Sequence, residues 1–111
     1  MIQKSYDLYG VDCESLDAAK TLIEALFNIV MVAHESGLHC GEYYRLYDVG
    51  QEHFILQNNY DDFEDEWTEE AFSKYPVLFY VNETDRSYDL KEILLKDKRL
   101  ALLRHEELQI C

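Results

Sequence analysis

One short stretch of the chain concentrates side chains that bind metals or act as nucleophiles. The stretch contains His34, Glu35, His39 and Cys40, and His53 follows it. Two histidines bind zinc from one helix when they are four residues apart, but His34 and His39 are five apart and flank Gly37. A small metal-dependent hydrolase is therefore the weakest of the alternatives, because its ligands would have to come from distant parts of the chain. We predict no metal and no cofactor.

Covalent and acid–base catalysis also lack a signature. Cys40 beside His39 suggests a thiol with its base, but neighbours in sequence generally point apart and the acidic surroundings disfavour the thiolate. Acid–base catalysis needs one carboxyl group that is desolvated, whereas the carboxylates here occur in a run of charged residues that stays hydrated. We therefore predict that the chain is not an enzyme.

The most distinctive feature is an acidic segment, residues 61–70, with the sequence DDFEDEWTEE. It places seven carboxylates around Phe63 and Trp67, and no Lys or Arg occurs between Arg45 and Lys74. Such a run can steer a basic partner toward the protein while its rings supply contact area. The alternative is a solvated loop in which the two rings, four residues apart, only pin a short helix to the rest of the fold.

The composition supports a folded, acidic protein. Twenty-three acidic and 10 basic side chains give a net charge of −13, yet 48% of the residues are hydrophobic, which is too many for a disordered chain. At this length one core is usual, so we expect a single domain over residues 1–111. A chain this acidic repels nucleic acid, and a basic protein is its natural partner.

The cellular location is inferred from the N-terminus and the cysteines. Residues 1–10 do not resemble an export signal, and no run approaches the ~18 apolar residues of a membrane span. Cys13, Cys40 and Cys111 are odd in number and show no close pairing. We expect a cytoplasmic protein with free thiols and no membrane contact.

The first third of the chain carries strand and helix signals in turn. Polar and apolar residues alternate over residues 4–11, which predicts a strand. Ser15 offers an N-cap, apolar residues recur after it at three- and four-residue steps, and Asn28 offers an end, so the pattern predicts a helix. The β-branched run over residues 29–33 predicts a buried strand.

The middle of the chain predicts a β-hairpin and then a short helix. Residues 42–49 and 53–60 have strand character and are joined by a short connection. Thr68 is a possible N-cap for a short helix that reaches Tyr75 and is stopped by Pro76. Residues 77–82 are continuously apolar, which predicts a central strand buried on both faces.

The end of the chain predicts more helix. A helix, or two short ones interrupted near residues 96–98, would begin near Ser87. Its apolar stripe would consist of Leu90, Ile93, Leu94, Leu100 and Leu103. The whole pattern predicts an α+β fold with a mainly antiparallel sheet of four to five strands, two main helices and one short helix.

Four stretches carry a family resemblance. Residues 41–45 (GEYYR), 54–61 (FILQNNYD), 66–67 (EW) and 75–82 (YPVLFYVN) resemble a family of small bacterial immunity proteins. Such proteins accompany the toxic domains of contact-dependent growth inhibition and related polymorphic toxin systems. The resemblance implies a cytoplasmic antitoxin that binds its cognate toxin domain, commonly a nuclease, and blocks the active site or the approach of substrate.

This hypothesis assigns the partner-binding residues. The charged contacts would be Asp61, Asp62, Glu64, Asp65, Glu66, Glu69 and Glu70. The aromatic anchors would be Tyr60, Phe63 and Trp67, with Tyr43, Tyr44 and Tyr47 as further candidates. The main alternative is an acidic interaction module that binds some other basic protein.

Overall fold

The computed structural model of the chain describes residues 2–36, 40–48 and 50–110. The helices are α1 (Leu16–Phe27) and α2 (Ser87–Leu94), and a short 3-10 helix spans Glu70–Phe72. The strands are β1 (Ile2–Val11), β2 (Val32–Ser36), β3 (Gly41–Leu46), β4 (His53–Asn58), β5 (Tyr60–Asp61), β6 (Glu66–Trp67), β7 (Val77–Thr84) and β8 (Leu100–Ile110). The radius of gyration is 13.5 Å, close to the ~13 Å expected of one domain of this size.

Six of the strands form one antiparallel sheet in the order β2-β3-β4-β7-β1-β8, and β5 and β6 form a separate two-stranded hairpin. The α+β class and the antiparallel sheet are therefore confirmed, with six strands in the sheet where four to five were predicted. In the described part of the chain, neither helix has the length and apolar character needed to span a bilayer.

The first helix follows its sequence signals. The Ser15 side chain accepts a hydrogen bond from the backbone N–H of Ala18 at 3.1 Å, which satisfies one of the free donors of the first turn. Asn28 ends the helix in the left-handed conformation, with φ of 55°, and its N–H donates to the carbonyl of Glu24. Both predicted ends of the helix are confirmed.

Alternation along the strands gives the sheet two distinct faces. The helix-covered face presents buried side chains such as Tyr9, Phe54 and Phe79 to α1 and α2. The second face presents Leu8, Ile55, Leu78 and Tyr80, the residues that alternate with them. Strand β7 lies inside the sheet with buried residues on both faces, as its apolar run predicted.

The strand predicted at residues 29–33 is displaced, and although Met31 is buried before it begins, the strand itself is exposed at its start. Strand β2 begins at Val32 and lies at the edge of the sheet, and the Val30 and Val32 side chains are 75% and 55% exposed. The run cannot enter the sheet earlier because its backbone is still held by the helix. The N–H of Met31 donates to Glu24 Oε2 at 2.7 Å.

The prediction of helix at the end of the chain is wrong beyond Leu94. A turn follows α2, in which the N–H of Leu100 donates to the carbonyl of Asp97 at 3.2 Å. Strand β8 then pairs with β1 along its whole length. Apolar residues two apart, Leu100 and Leu102, pack against the core of the helix-covered face, so a strand period replaces the predicted helical one.

Candidate partner-binding surface

The acidic segment is part of a longer stretch, residues 59–76, that lies on the second face of the sheet. We call this stretch the covering segment. The ring of Tyr75 lies directly over Gly10 of β1, so close that a Cβ atom on Gly10 would be 2.5 Å from Tyr75 Cγ. The Glu69 carboxylate accepts from the Arg104 guanidinium at 3.0 Å and from the Tyr80 hydroxyl at 3.4 Å. The segment is therefore a folded layer and not a free loop.

Asn59 organises the covering segment from inside. Its side chain is fully buried, and its Oδ1 accepts the N–H of Glu69 at 2.8 Å. Its Nδ2 lies 3.1 Å from the carbonyl oxygens of Phe72 and Tyr75 and 3.4 Å from that of Glu69. One amide thus satisfies backbone groups that a buried loop would otherwise leave unpaired.

The acidic run forms a tight turn between β5 and β6. The buried Asp61 carboxylate accepts the N–H groups of Phe63 at 2.9 Å and Glu64 at 3.3 Å, which is an Asx-type turn. Asp65 adopts the left-handed conformation with φ of 54°, and its carboxylate accepts the hydroxyl of Tyr60. The turn has its own hydrogen bonds and does not need a partner to hold its shape.

The turn presents an aromatic ring among free carboxylates. We call residues 62–66 the carboxylate turn. Phe63 is 85% exposed, and Asp62, Glu64 and Glu66 are exposed and make no ion pair with the described residues. Trp67 is 37% exposed and packs edge-on against Tyr60, with ring centroids 5.0 Å apart. Trp67 therefore packs within its own hairpin and also reaches solvent.

Several predicted contact residues are not part of the exposed surface. Tyr44 is buried on the helix-covered face, where its hydroxyl donates to Asp17 at 2.7 Å, and Tyr43 is buried on the second face. Asp61 is also buried, and Glu69 is engaged with Arg104. The prediction that Tyr43 and Tyr44 bind the partner is therefore not supported by their positions, since both side chains are 7% exposed.

The predicted Thr68 N-cap is wrong. The short helix near the end of the acidic segment is a single 3-10 turn over Glu70–Phe72, and its N-terminus carries no side-chain cap. Thr68 Oγ1 instead lies 3.1 Å from Cys40 Sγ at the end of the β2–β3 hairpin. Glu70 is exposed at the end of the acidic segment, beside this turn.

A groove of about 580 Å³ separates the acidic segment from the β2–β3 hairpin. Its walls are Ser36, Cys40, Asp61, Glu64, Glu66, Trp67 and Thr68. Burial raises the pKa of the Cys40 thiol, the hydrogen bond with Thr68 partly offsets this, and the carboxylates of Asp61 and Asp62 raise the pKa further. The thiol is thus kept protonated, which is the opposite of what a nucleophile requires.

The histidines lie apart and make different contacts. His34 stacks on Tyr43 with ring centroids 5.4 Å apart, whereas His53 is buried and its Nδ1 lies 2.9 Å from the carbonyl oxygen of Gln51. His39 lies outside the described residues. Within residues 2–36, 40–48 and 50–110, no three His, Cys, Asp or Glu side chains are placed to hold a metal ion.

The surface offers charge, the exposed ring of Phe63 and the partly exposed ring of Trp67. The chain matches no known protein-family model, and no curated protein matches it significantly in sequence. Fixed carboxylates without cationic neighbours attract cations over several ångströms, and an exposed ring supplies a contact that excludes water. The carboxylate turn is therefore suited to bind a cationic protein surface.

A second cluster escaped prediction from the sequence. Asp7, Ser87 and His105 meet near the start of α2, although Asp7 and His105 are 98 residues apart in the chain. The residue types are those of a hydrolase triad, but the Ser87 hydroxyl donates to Asp7 at 2.5 Å, and His105 Nδ1 also lies against Asp7. His105 Nδ1 also lies 3.5 Å from the Ser87 hydroxyl oxygen, but the hydroxyl gives its proton to Asp7 and not to the imidazole, so it is not activated. The pairing of β1 with β8 brings Asp7 and His105 together, and the position of α2 on the sheet adds Ser87.

Proposed function

We propose that this protein is an immunity protein, which binds a cationic toxin domain through its carboxylate turn and blocks the active site or the approach of substrate. The observation that supports the proposal most is the exposure of the Phe63 ring among carboxylates. Its ring is almost fully exposed at the tip of a turn in which Asp62 and Glu64 have no cationic neighbour among the described residues. A large ring surrounded by charge suits the centre of a protein interface.

The fixed shape of the turn favours tight binding. Asn59 binds the backbone N–H of Glu69 after the turn, Asp61 binds the backbone N–H of Phe63 inside it, and the Tyr75 ring lies against the sheet at Gly10. Binding therefore does not have to order this loop, and the entropy cost of association is smaller.

The charge of the protein favours a nuclease as the toxin. A nuclease presents cationic groups to phosphate, and the exposed carboxylates of the turn can occupy those positions. With a net charge of −13, the protein as a whole also attracts a cationic domain before contact. Association should accordingly be fast and should slow as salt is added.

The sequence resemblance falls on the elements that support the turn. The resembling stretches at 41–45, 54–61 and 75–82 coincide with β3, β4 and β7, and residues 66–67 form β6. Under the proposal, β3, β4 and β7 are the frame that the family shares, and the carboxylate turn, which ends at Glu66 of β6, supplies the contacts to one toxin.

The proposal predicts a toxin domain encoded beside this chain, and the experiment is protection of cells that express that domain. Co-expression of the chain should restore growth, and Phe63→Ala should weaken the complex about 30-fold, which corresponds to the ~2 kcal/mol of an interface anchor. The triple variant Asp62→Asn, Glu64→Gln, Glu66→Gln should mainly slow association and flatten its salt dependence.

Matched controls are available on the helix-covered side. Tyr88 is a 68% exposed ring on α2, and Asp89 and Glu92 are exposed carboxylates on the same helix. Tyr88→Ala and the pair Asp89→Asn, Glu92→Gln should leave protection unchanged. Growth that is not restored by the wild-type chain would overturn the antitoxin role. Protection with an association rate that does not depend on salt would overturn the charge mechanism alone.

A further inference from the structure

A polar cluster joins three elements of the fold at the first turn of α2, on the opposite side of the sheet from the covering segment. The cluster consists of Asp7 on β1, Ser87 on α2, and His105 and Glu107 on β8. The Asp7 carboxylate is buried, its Oδ2 accepts the Ser87 hydroxyl at 2.5 Å, and its Oδ1 lies against His105 Nδ1. On the other side of the imidazole ring, His105 Nε2 lies 3.0 Å from Glu107 Oε1.

Both nitrogens of His105 therefore face carboxylate oxygens. A neutral imidazole has one N–H and one lone pair, so one of its nitrogens would direct a lone pair at a negative oxygen. Only the doubly protonated ring can donate to both carboxylates at once. We propose that His105 is a proton-dependent clamp, whose imidazolium form fastens β8 and the start of α2 to β1 and whose deprotonation releases Glu107 and loosens this corner. The proposal does not depend on the function proposed above.

The surroundings of the ring agree with a charged imidazole. The groups that face it are Asp7 from β1, Ser87 from α2 and Glu107 from β8. The two carboxylates raise the pKa of His105 above its usual 6.5, with the hydrogen bond to Glu107 as the larger cause and that to Asp7 next, while burial opposes them. The ring also borders a cavity of about 320 Å³, which Tyr88 and Lys91 of α2 line. Lys91 is the one Lys or Arg among the described residues that line this cavity.

The sign of the pH effect follows from the raised pKa. A group that holds its proton more tightly in the folded state stabilises the fold fully below its unfolded pKa. This stabilisation is lost as the pH rises through the folded pKa. The clamp is thus closed below the unfolded pKa of His105 and opens as the pH rises through its higher folded pKa.

The test compares thermal unfolding of the wild-type chain, His105→Gln and the control His34→Gln between pH 5.5 and 9. His34 is also partly exposed on a strand, but it stacks on Tyr43 and makes no ion pair with the described residues. The difference in Tm between wild type and His105→Gln should be a few degrees at pH 5.5 and should vanish by pH 9. The difference between wild type and His34→Gln should not vary in this way. Each comparison cancels the general effect of pH on so acidic a protein.

A second measurement keeps the test independent of how well the His105 variant folds. The His105 ring is titrated by NMR in the wild-type chain and in Glu107→Gln, which removes the negative charge beside Nε2 but keeps an acceptor oxygen. The ring should titrate above 6.5 in the wild type and closer to 6.5 in Glu107→Gln. A ring that titrates at or below 6.5 in the wild type, or a Tm difference for His105→Gln that stays constant with pH, would overturn the clamp.

Discussion

Replacing Asn59 by Asp should detach the covering segment from the sheet. The substitution keeps the Oδ1 acceptor for the N–H of Glu69 but turns the donor Nδ2 into an oxygen. That atom lies 3.1 Å from two carbonyl oxygens and 3.4 Å from a third. Two hydrogen bonds of about 1 kcal/mol each are lost, and a buried acceptor left without a donor costs about 1–3 kcal/mol more, so we expect a loss of about 3–5 kcal/mol.

The assay uses the only tryptophan of the chain, Trp67, which lies in the β5–β6 hairpin of the covering segment. In urea, Trp67 fluorescence should report detachment of this segment at a lower concentration than the one at which far-UV circular dichroism reports loss of the sheet. In the wild type, we expect the two transitions to lie closer together. Without urea, the Trp67 emission of Asn59→Asp should already be shifted to the red.

The control is Asn58→Asp, one residue earlier in the chain. It makes the same chemical change, and the Asn58 side chain forms no hydrogen bond with the described residues. Asn58→Asp should stay within about 0.5 kcal/mol of the wild type. If Asn59→Asp loses no more stability than Asn58→Asp and its Trp67 emission is unchanged, then the buried amide does not hold the segment.

Three further predictions concern other parts of the fold. Gly10→Ala should cost about 1–3 kcal/mol of stability in urea unfolding, because the added methyl group meets the Tyr75 ring; an unchanged midpoint would mean that the ring does not rest on Gly10. Tyr9→Phe should leave stability unchanged or raise it by up to about 1 kcal/mol, since the buried Tyr9 hydroxyl has no hydrogen-bond partner among the described residues; a clear loss in the same assay would show that it has one. Hydrogen bonds from Arg99 lower the pKa of Asp97 to about 2, so this carboxylate stabilises the fold above its ordinary pKa and the effect is lost as the pH falls through about 2. Asp97→Asn should therefore lower Tm at pH 7 and approach the wild type near pH 2, and a Tm difference that does not change with pH would contradict this.

The sequence alone was sufficient to predict the elements whose bounds depend on interactions close by in the chain. Ser15 and Asn28 fix the ends of α1 through contacts within four residues of each end, so the cap residues alone predicted the helix. The apolar run of β7 predicted a central strand because both faces of the sheet are covered there, by helices on one side and in part by residues 59–76 on the other.

The remaining structure depends on partners far along the chain. Strand β8 was predicted as helix because its leucines fit either period, and only its pairing with β1, at the other end of the sequence, selects the strand. The covering segment depends in the same way on Gly10 and Arg104. A glycine inside a predicted strand is a signal that something approaches the backbone closely, but it does not say what approaches.

The way the covering segment is held has a consequence for how such a protein can evolve. Its attachments are Asn59, Glu69 and Tyr75, and none of these lies among the exposed residues 62–66. Asp62, Phe63, Glu64 and Glu66 can thus mutate with little effect on folding, since surface substitutions away from such contacts usually change stability by no more than about 0.5 kcal/mol. A few substitutions in the carboxylate turn could therefore change the binding partner during evolution. The same positions are the natural ones to randomise in a library that selects new binders.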